Sequence, residues 1–250
     1  MRPDLSSDPD RPAAARSALV LGGTGAIGSA VLARLAARGV AATFTYHERE
    51  DRARALASEY DQRPIRADLA DTTSTAALFE ALDADPDAAD IDVLIHCAGI
   101  AGQGELEALS PAAWRALVAV NAESALWAVR WLSQRRQRDA DVVLVGALDR
   151  TQSLPLPVGF AATQGMLPAM AMAMAHELGP RDYRVNVVSL GFMDAGLSAA
   201  LAGDQRRDYE RFSALRRAGR PDEAAAAIAW LALENRTING KVISVNGGVG

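Results

Sequence analysis

The feature that most constrains the fold is a glycine-rich turn between a short apolar run and a helical pattern. Residues 17–21 (SALVL) are typical of a buried strand, and helical spacing follows from Ala26. Between them Gly23, Gly25 and Gly28 satisfy the pattern G-x-G-x-x-G. Such glycines permit a tight turn, a close approach of the backbone to a diphosphate, and packing of the helix on the strand. The order strand, turn, helix therefore predicts a dinucleotide-binding α/β fold.

The rest of the chain continues to alternate between strand and helix patterns. Strands are predicted at 17–21, 40–46, 64–67, 91–96, 141–145, 184–189 and 241–245, and helices at 26–38, 51–60, 71–82, 111–137, 158–178 and 223–233. This alternation predicts a single-domain, Rossmann-like, doubly wound parallel sheet of about seven strands with helices on both faces. The domain is expected to span residues 16–250. Residues 1–15, rich in Pro, Asp, Ser and Ala, are expected to form a flexible tail.

Composition argues against several classes of function. The net charge of −5 gives no electrostatic basis for binding nucleic acid or an anionic membrane. Cys97 is the only cysteine, and the five aspartates of segment 83–92 lack the spacing of a calcium loop, so no metal site is expected. We find no leader-like apolar segment at the N-terminus and no run of the roughly 18 apolar residues that a membrane span needs. A cytoplasmic protein is the expectation.

The end of the second predicted strand bears on the choice of cofactor. An NAD site usually places an acidic residue there to bind the ribose 2′-hydroxyl. This strand instead ends in Tyr46 and His47, with Arg49 close behind. His47 and Arg49 suit a 2′-phosphate, which favours NADP(H), although they also fit an ordinary surface turn at the start of a helix. Asp68, after the third strand, either accepts a hydrogen bond from adenine or caps its own loop.

Further short motifs lie at the ends of several predicted strands and within the first long helix. They are Leu21-Gly22-Gly23-Thr24-Gly25-Ala26-Ile27-Gly28, His96-Cys97-Ala98-Gly99, Val120-Asn121-Ala122, Arg184-Val185-Asn186 with Leu190-Gly191, and Asn239-Gly240 with Gly247-Gly248. With these motifs the chain resembles the short-chain dehydrogenase/reductase superfamily over roughly residues 17–250, and within it the 3-oxoacyl-(acyl carrier protein) reductase-like group.

The resemblance implies hydride transfer between a nicotinamide and a carbonyl or alcohol carbon, and it also exposes three substitutions. The family uses a Tyr as proton donor, a Lys four residues later, and a Ser about thirteen residues before the Tyr. These positions hold Phe160, Gln164 and Ala147 here, whereas the family's active-site asparagine is kept as Asn121. Phe has no proton to give, and Lys241, the only lysine, lies far along the chain. Because a positioned general acid contributes on the order of 10²–10⁴ in rate, family-type catalysis should be nearly lost.

The same resemblance implies a set of cofactor-binding positions. They are Gly22, Gly23, Thr24, Gly25, Ile27, Gly28, His47, Arg49, Asp68, Leu69, Ala98, Gly99, Gln164 and Gly191.

Several functions remain open on these grounds. One is a catalytically silent NADP(H)-site homologue that acts as a partner or scaffold subunit in fatty-acid or polyketide-type biosynthesis. Another is an NADPH-dependent 3-oxoacyl or carbonyl reductase, or an enzyme of altered chemistry with a relocated acid; a nucleotide sensor is a further alternative. The candidate acids are His96, otherwise a histidine bonded to backbone, and Tyr209, otherwise a solvent-facing residue of a lid. The polar residues Asp149, Arg150 and Gln152 also follow the fifth strand.

The resemblance also implies assembly through the two long helices at 111–137 and 158–178. The expected partners are further copies of the chain in a dimer or tetramer, or an active reductase of the same family, with acyl carrier protein as a candidate substrate carrier. Large apolar side chains on these helices either form such a surface or pack on the sheet. They are Trp114, Trp127, Trp131, Met166, Met170, Met172 and Met174.

Overall fold

The computed structural model describes residues 16–102, 106–147, 156–200 and 203–249. Within them seven parallel strands form one sheet in the order β3-β2-β1-β4-β5-β6-β7. The strands are β1 (Ser17–Leu21), β2 (Ala41–Tyr46), β3 (Arg63–Arg66), β4 (Ile91–His96), β5 (Ala140–Gly146), β6 (Tyr183–Leu190) and β7 (Val242–Val245). The predicted α/β fold is confirmed. The predicted tail lies outside the described residues.

Helices cover both faces of the sheet. They are α1 (Ala26–Ala36), α2 (Glu50–Tyr60), α3 (Thr72–Asp83), α4 (Pro111–Val118), α5 (Ser124–Arg135), α6 (Val158–Leu178), α7 (Gly203–Phe212) and α8 (Pro221–Leu233). Apolar residues of α1, α2 and α8 form the core on one face, and those of α3, α5 and α6 form the core on the other. This is the two-layered burial that a sheet apolar on both faces requires.

Local sequence signals set several helix ends. The Asp71 carboxylate accepts the Thr73 N–H at the start of α3, and the Ser110 hydroxyl accepts the Ala113 N–H at the start of α4. Both are side-chain caps of the kind that Asp and Ser commonly form at helix N-termini. The predicted helix over 111–137 differs from the structure in its middle, where a π-helical turn, Ala119–Glu123, joins α4 to α5. Such turns often occur at functional sites, and this one contains Asn121.

Helix α6 corrects the expectation that no segment is apolar enough to cross a membrane. By length and composition alone, Val158–Arg181 is sufficient, with a mean hydropathy of 1.3. In the fold, Phe160, Leu167 and Ala171 of this helix are buried, and α6 packs against β5 and β6. Packing on the sheet therefore accounts for the apolar residues on the buried side of this helix.

The large apolar side chains of the long helices divide between the core and the surface. Trp131, Met170 and Met174 belong to the core beneath α5 and α6. Another group is exposed: Trp114, Leu126, Trp127, Met166 and Met172. The second group leaves an apolar surface on this layer.

The two edges of the sheet differ in character. At the amino edge, buried Arg16 pairs with Asp92 and Asp141, and Arg184 pairs with Asp141 and Asp139. At the carboxyl edge the strand order reverses between β1 and β4, which opens the crevice where sheets of this kind bind ligands.

Candidate functional site

The glycine turn lies at the carboxyl end of β1 and is built for close backbone contact. Gly22 has φ +82°, and a Cβ there would lie 2.7 Å from the Ala98 backbone nitrogen. At Gly28 a Cβ would lie 2.2 Å from the Gly22 carbonyl oxygen, so only glycine allows α1 to start this close to β1. The Thr45 hydroxyl accepts the Gly22 N–H at 2.9 Å and fixes the turn against β2.

Helix α1 begins directly after this turn with its N-terminus uncapped by any side chain. Gly25 is the N-cap residue, and Thr24 precedes it in the turn. Ile27 is half-buried and packs against the core, which anchors the first helical turn. Because the first N–H groups of a helix lack partners within the helix and carry a positive partial charge, this end suits a diphosphate.

Asn121 holds the loop that follows β4. Its Oδ1 accepts the Ile100 N–H at 2.8 Å, and its Nδ2 donates to the Ile100 carbonyl at 2.9 Å and to Thr163 Oγ1 at 2.9 Å. The nearest atoms to a Cβ added at Gly99 are Asn121 Oδ1 and Leu197 Cδ1, both at 3.7 Å. The π-helical turn thus positions an amide that fixes the crevice wall formed by Ala98 and Gly99.

Ala147, Phe160 and Gln164, the positions that the resemblance implies are substituted, lie near the end of β5. The Ala147 N–H donates to Gln164 Oε1 at 2.9 Å, and Phe160 is buried one helical turn before Gln164 on α6. Thr163 Oγ1 donates to the Phe160 carbonyl at 2.9 Å and also receives the amide of Asn121. The oxygen of Gln164 is therefore bonded to the protein backbone.

Burial removes His96 and Cys97 as acid or nucleophile. His96 Nε2 lies 2.7 Å from Ser124 Oγ, and full burial lowers the pKa of His96 to about 4. His96 is thus neutral near pH 7, and the hydrogen bond of its Nε2 is to a side-chain hydroxyl, whereas we expected a bond to backbone. Burial raises the pKa of the Cys97 thiol to about 12. Cys97, which follows β4, packs against the core on the side of α1, α2 and α8, whereas His96 contacts Ser124 of α5 on the other side, as alternation along a strand predicts.

Tyr209 is held inside the protein, so both expectations for it were wrong. It is 1% exposed, its ring lies 5.6 Å from that of Phe192, and its hydroxyl donates to the Asn246 carbonyl. A Cβ at Gly191 would lie 2.1 Å from the Tyr209 hydroxyl, so Gly191 is the close-packing position above it. The ring is a structural support for the end of β6.

The ends of β2 and β3 form the far side of the crevice. Asp68 Oδ1 accepts the Ala70 N–H at 2.9 Å, which is the loop-capping alternative, and its Oδ2 lies 3.5 Å from His47 Nε2. Leu69 beside it is buried. Arg49 Nη1 donates to the Thr24 carbonyl at 3.4 Å, which brings this cation to the glycine turn.

Sequence reasoning missed Arg66, the last residue of β3. Its Nε donates to the His47 carbonyl at 3.3 Å. Parallel neighbouring strands end at the same edge of a sheet, so the position of Arg66 was a usable signal. Asp149, Arg150 and Gln152 lie outside the described residues.

A doubly wound sheet whose first turn leaves no room for a Cβ at Gly22, Gly23 or Gly28, followed by an uncapped helix, is the arrangement of a dinucleotide-binding α/β fold. A family model described as enoyl-(acyl carrier protein) reductase matches residues 23–250. The chain belongs to the short-chain dehydrogenase/reductase family.

Solved structures and characterised relatives agree with this assignment. The short-chain dehydrogenase/reductase from Serratia marcescens BCRC 10948 superposes with a TM-score of 0.86 at 29% identity, over 95% of this chain and 98% of that one. A short-chain dehydrogenase from Burkholderia cenocepacia J2315, in complex with NADP, gives 0.85 at 28% identity, over 94% and 98%. The acetoacetyl-CoA reductase of Allochromatium vinosum is 28% identical over 94% of this chain and 98% of its own.

Proposed function

We propose that this protein binds NADP(H) but does not carry out the proton transfer of carbonyl reduction, and that it acts as a partner or scaffold subunit beside an active reductase. The observation that carries the proposal is the bond from the Ala147 N–H to Gln164 Oε1, with Phe160 one helical turn before Gln164. These three side chains are a methyl group, an amide and an apolar ring, and none of them releases a proton near neutral pH.

Cofactor binding is supported by the backbone of the crevice. The glycine turn leaves room for a diphosphate, and the uncapped start of α1 provides donors for it. The related dehydrogenase from Burkholderia cenocepacia is a complex with NADP. In this chain, Gly22, Gly25 and Gly28 would hold the diphosphate and Gly99 would lie beside the nicotinamide ribose.

The residues of the reacting end bind and position groups but do not move a proton. A bound nicotinamide supplies or accepts a hydride, whose transfer to a carbonyl leaves an oxygen that needs a proton. Asn121 fixes the backbone of Ile100, and Gln164 fixes that of Ala147. His96 is neutral and buried, and the Tyr209 hydroxyl is bonded to the Asn246 carbonyl, so neither supplies the proton.

The test compares the natural chain with a restored variant. We expect NADPH to bind to the natural protein with micromolar affinity, followed by calorimetry, and acetoacetyl-CoA to remain unreduced. The triple variant A147S/F160Y/Q164K should gain NADPH-dependent reduction, because a positioned acid contributes on the order of 10²–10⁴ in rate. The double variant A147S/F160Y, which keeps Gln164, is the matched control for the lysine. Turnover of the natural protein near 1 s⁻¹, an ordinary enzyme rate, would overturn the proposal.

A second candidate is an NADPH-dependent 3-oxoacyl or carbonyl reductase of unusual mechanism. It is favoured by the intact hydrogen bonds of Asn121 and by relatives such as the acetoacetyl-CoA reductase of Allochromatium vinosum. The same assay distinguishes the two candidates, because only this one expects the natural chain to oxidise NADPH when a 3-oxoacyl thioester is added.

The partner is proposed from the exposed apolar side chains of α4, α5 and α6. They are Trp114, Leu126, Trp127, Met166 and Met172. A surface of this kind is typical of a protein interface. A second copy of the chain or an active family member would cover it. In the second case, an acyl carrier protein would deliver the substrate to the active member. Light scattering of the purified chain tests self-association, and W127E or M172E should weaken any complex.

A further inference from the structure

Two arginines flank the turn between β2 and α2. Arg66 lies in register with Tyr46 across the β2–β3 pair, and its Nε donates to the His47 carbonyl at 3.3 Å. Arg49 lies on the other side of the turn, with Nη1 donating to the Thr24 carbonyl at 3.4 Å. Both guanidinium groups are thereby tethered to backbone at the same edge of the sheet.

Neither cation is neutralised by a carboxylate. In the described part of the chain, no Asp or Glu oxygen lies within 4.0 Å of the Arg49 or Arg66 guanidinium. Two nearby acids are engaged elsewhere: Glu50 pairs with Arg54, and Asp68 lies against His47. Both arginines are exposed, so the remaining donors of each planar group are open to an anion.

The local charge balance shows why one arginine is not enough. Glu48 of this turn and Asp51 in the first turn of α2 are exposed carboxylates, and both oppose the binding of an anion. Arg49 alone does not offset both of them. Arg66, contributed by the neighbouring strand, supplies the second permanent positive charge, whereas His47 is already beside the Asp68 carboxylate.

We propose that Arg66 determines cofactor specificity by clamping, together with Arg49, the 2′-phosphate of NADP(H). The inference rests on the proposed NADP(H) binding. The end of the second strand is where this fold receives the adenosine ribose, and guanidinium groups recognise phosphate through paired, charge-assisted hydrogen bonds. The 2′-phosphate is the feature that separates NADPH from NADH, so the clamp acts on one cofactor only.

The experiment measures the affinity of purified R66Q and R63Q for NADPH and for NADH by calorimetry. Arg63 is the matched control because it lies at the opposite end of the same strand and pairs with Asp85. For R66Q we expect NADPH affinity to fall roughly 10- to 100-fold, as is usual for hydrogen bonds to a charged group, with NADH affinity unchanged. R63Q should change neither, and R66K should recover only part of the loss because lysine lacks the planar fork.

The outcomes separate this inference from the proposed function. If the natural chain binds NADPH and R66Q binds it as tightly as R63Q does, the role of Arg66 is wrong and the proposed function stands. Equal affinity of the natural chain for NADPH and NADH also overturns the clamp. If the natural chain binds neither nucleotide, cofactor binding itself fails and the clamp fails with it.

Discussion

The amino and carboxyl edges of the sheet use opposite chemistry. At the amino edge, charged side chains are buried in pairs: Arg16 with Asp92 at 2.9 Å and with Asp141 at 2.8 Å, and Arg184 with Asp141. At the carboxyl edge, the residues that we propose stand in place of the family's reacting side chains are Ala147, Phe160 and Gln164. What remains there is largely backbone, shaped by glycines and held by amides.

The difference separates two kinds of requirement. Nucleotide binding depends on backbone geometry, which the glycine turn preserves because a side chain would collide with Ala98 or Gly22. Proton transfer depends on the identity of individual side chains, which can change without disturbing the fold. Gln164 fits the fold in this way: its Oε1 accepts the buried Ala147 N–H. An apolar residue at this position would leave that N–H without a partner.

The amino edge should give the largest effect. Replacement D141A removes the buried acceptor shared by Arg16 and Arg184 and leaves each cation with only one of its two carboxylates, Asp92 or Asp139. Breaking such a pair typically costs about 3–5 kcal/mol of unfolding free energy, which urea denaturation measures. The control E234A breaks the exposed Arg38–Glu234 pair and should cost no more than about 1 kcal/mol. If D141A and E234A lose the same unfolding free energy, buried ion pairs are no more important here than exposed ones, and the comparison is wrong.

His96, the last residue of β4, should make the free energy of unfolding depend on pH. Its pKa in the folded protein is lowered to about 4 by burial, from 6.5. The unfolded chain therefore binds more protons between these values, so this contribution is fully present above pH 6.5 and is lost as pH falls to 4. The free energy of unfolding should fall by about 3 kcal/mol over this range because of His96. Urea unfolding of the natural protein and of H96Q, measured from pH 7 to 4, isolates the contribution of His96. If the free energy of unfolding falls equally with pH in the two proteins, the predicted contribution of His96 is wrong.

The carboxyl edge should respond mainly in binding. In G28A the new methyl group would meet the Gly22 carbonyl oxygen at 2.2 Å and force the turn away from α1. We expect NADPH affinity to fall about a hundredfold, roughly 2.7 kcal/mol, in a calorimetric titration. G165A is the control, because nothing lies within 4 Å of its Cβ and alanine favours the helix by roughly 0.5–1 kcal/mol. Retained affinity in G28A would show that the turn does not bind the nucleotide.

Much of the fold was predictable because its signals are local. The bounds of β4 (Ile91–His96) and α6 (Val158–Leu178) match the prediction, since each is a predominantly apolar segment with clear ends. The π-helical turn at Asn121 was not predictable from spacing, because it depends on the bonds of Asn121 to Ile100 and Thr163. Helix α7 was also missed, since its sequence is largely polar and only Tyr209 is buried.

The sequence by itself determined the alternation of strands and helices, the glycine turn, and the identity of the residues at 147, 160 and 164. These follow from periodicity, from the steric freedom of glycine and from the order of motifs along the chain. Only the tertiary structure decided that His96 is neutral, that Tyr209 is locked against Asn246, and that Arg66 lies beside His47. Burial and contact between distant segments set the pKa of a side chain and its neighbours, and neither quantity is encoded in any short stretch of sequence.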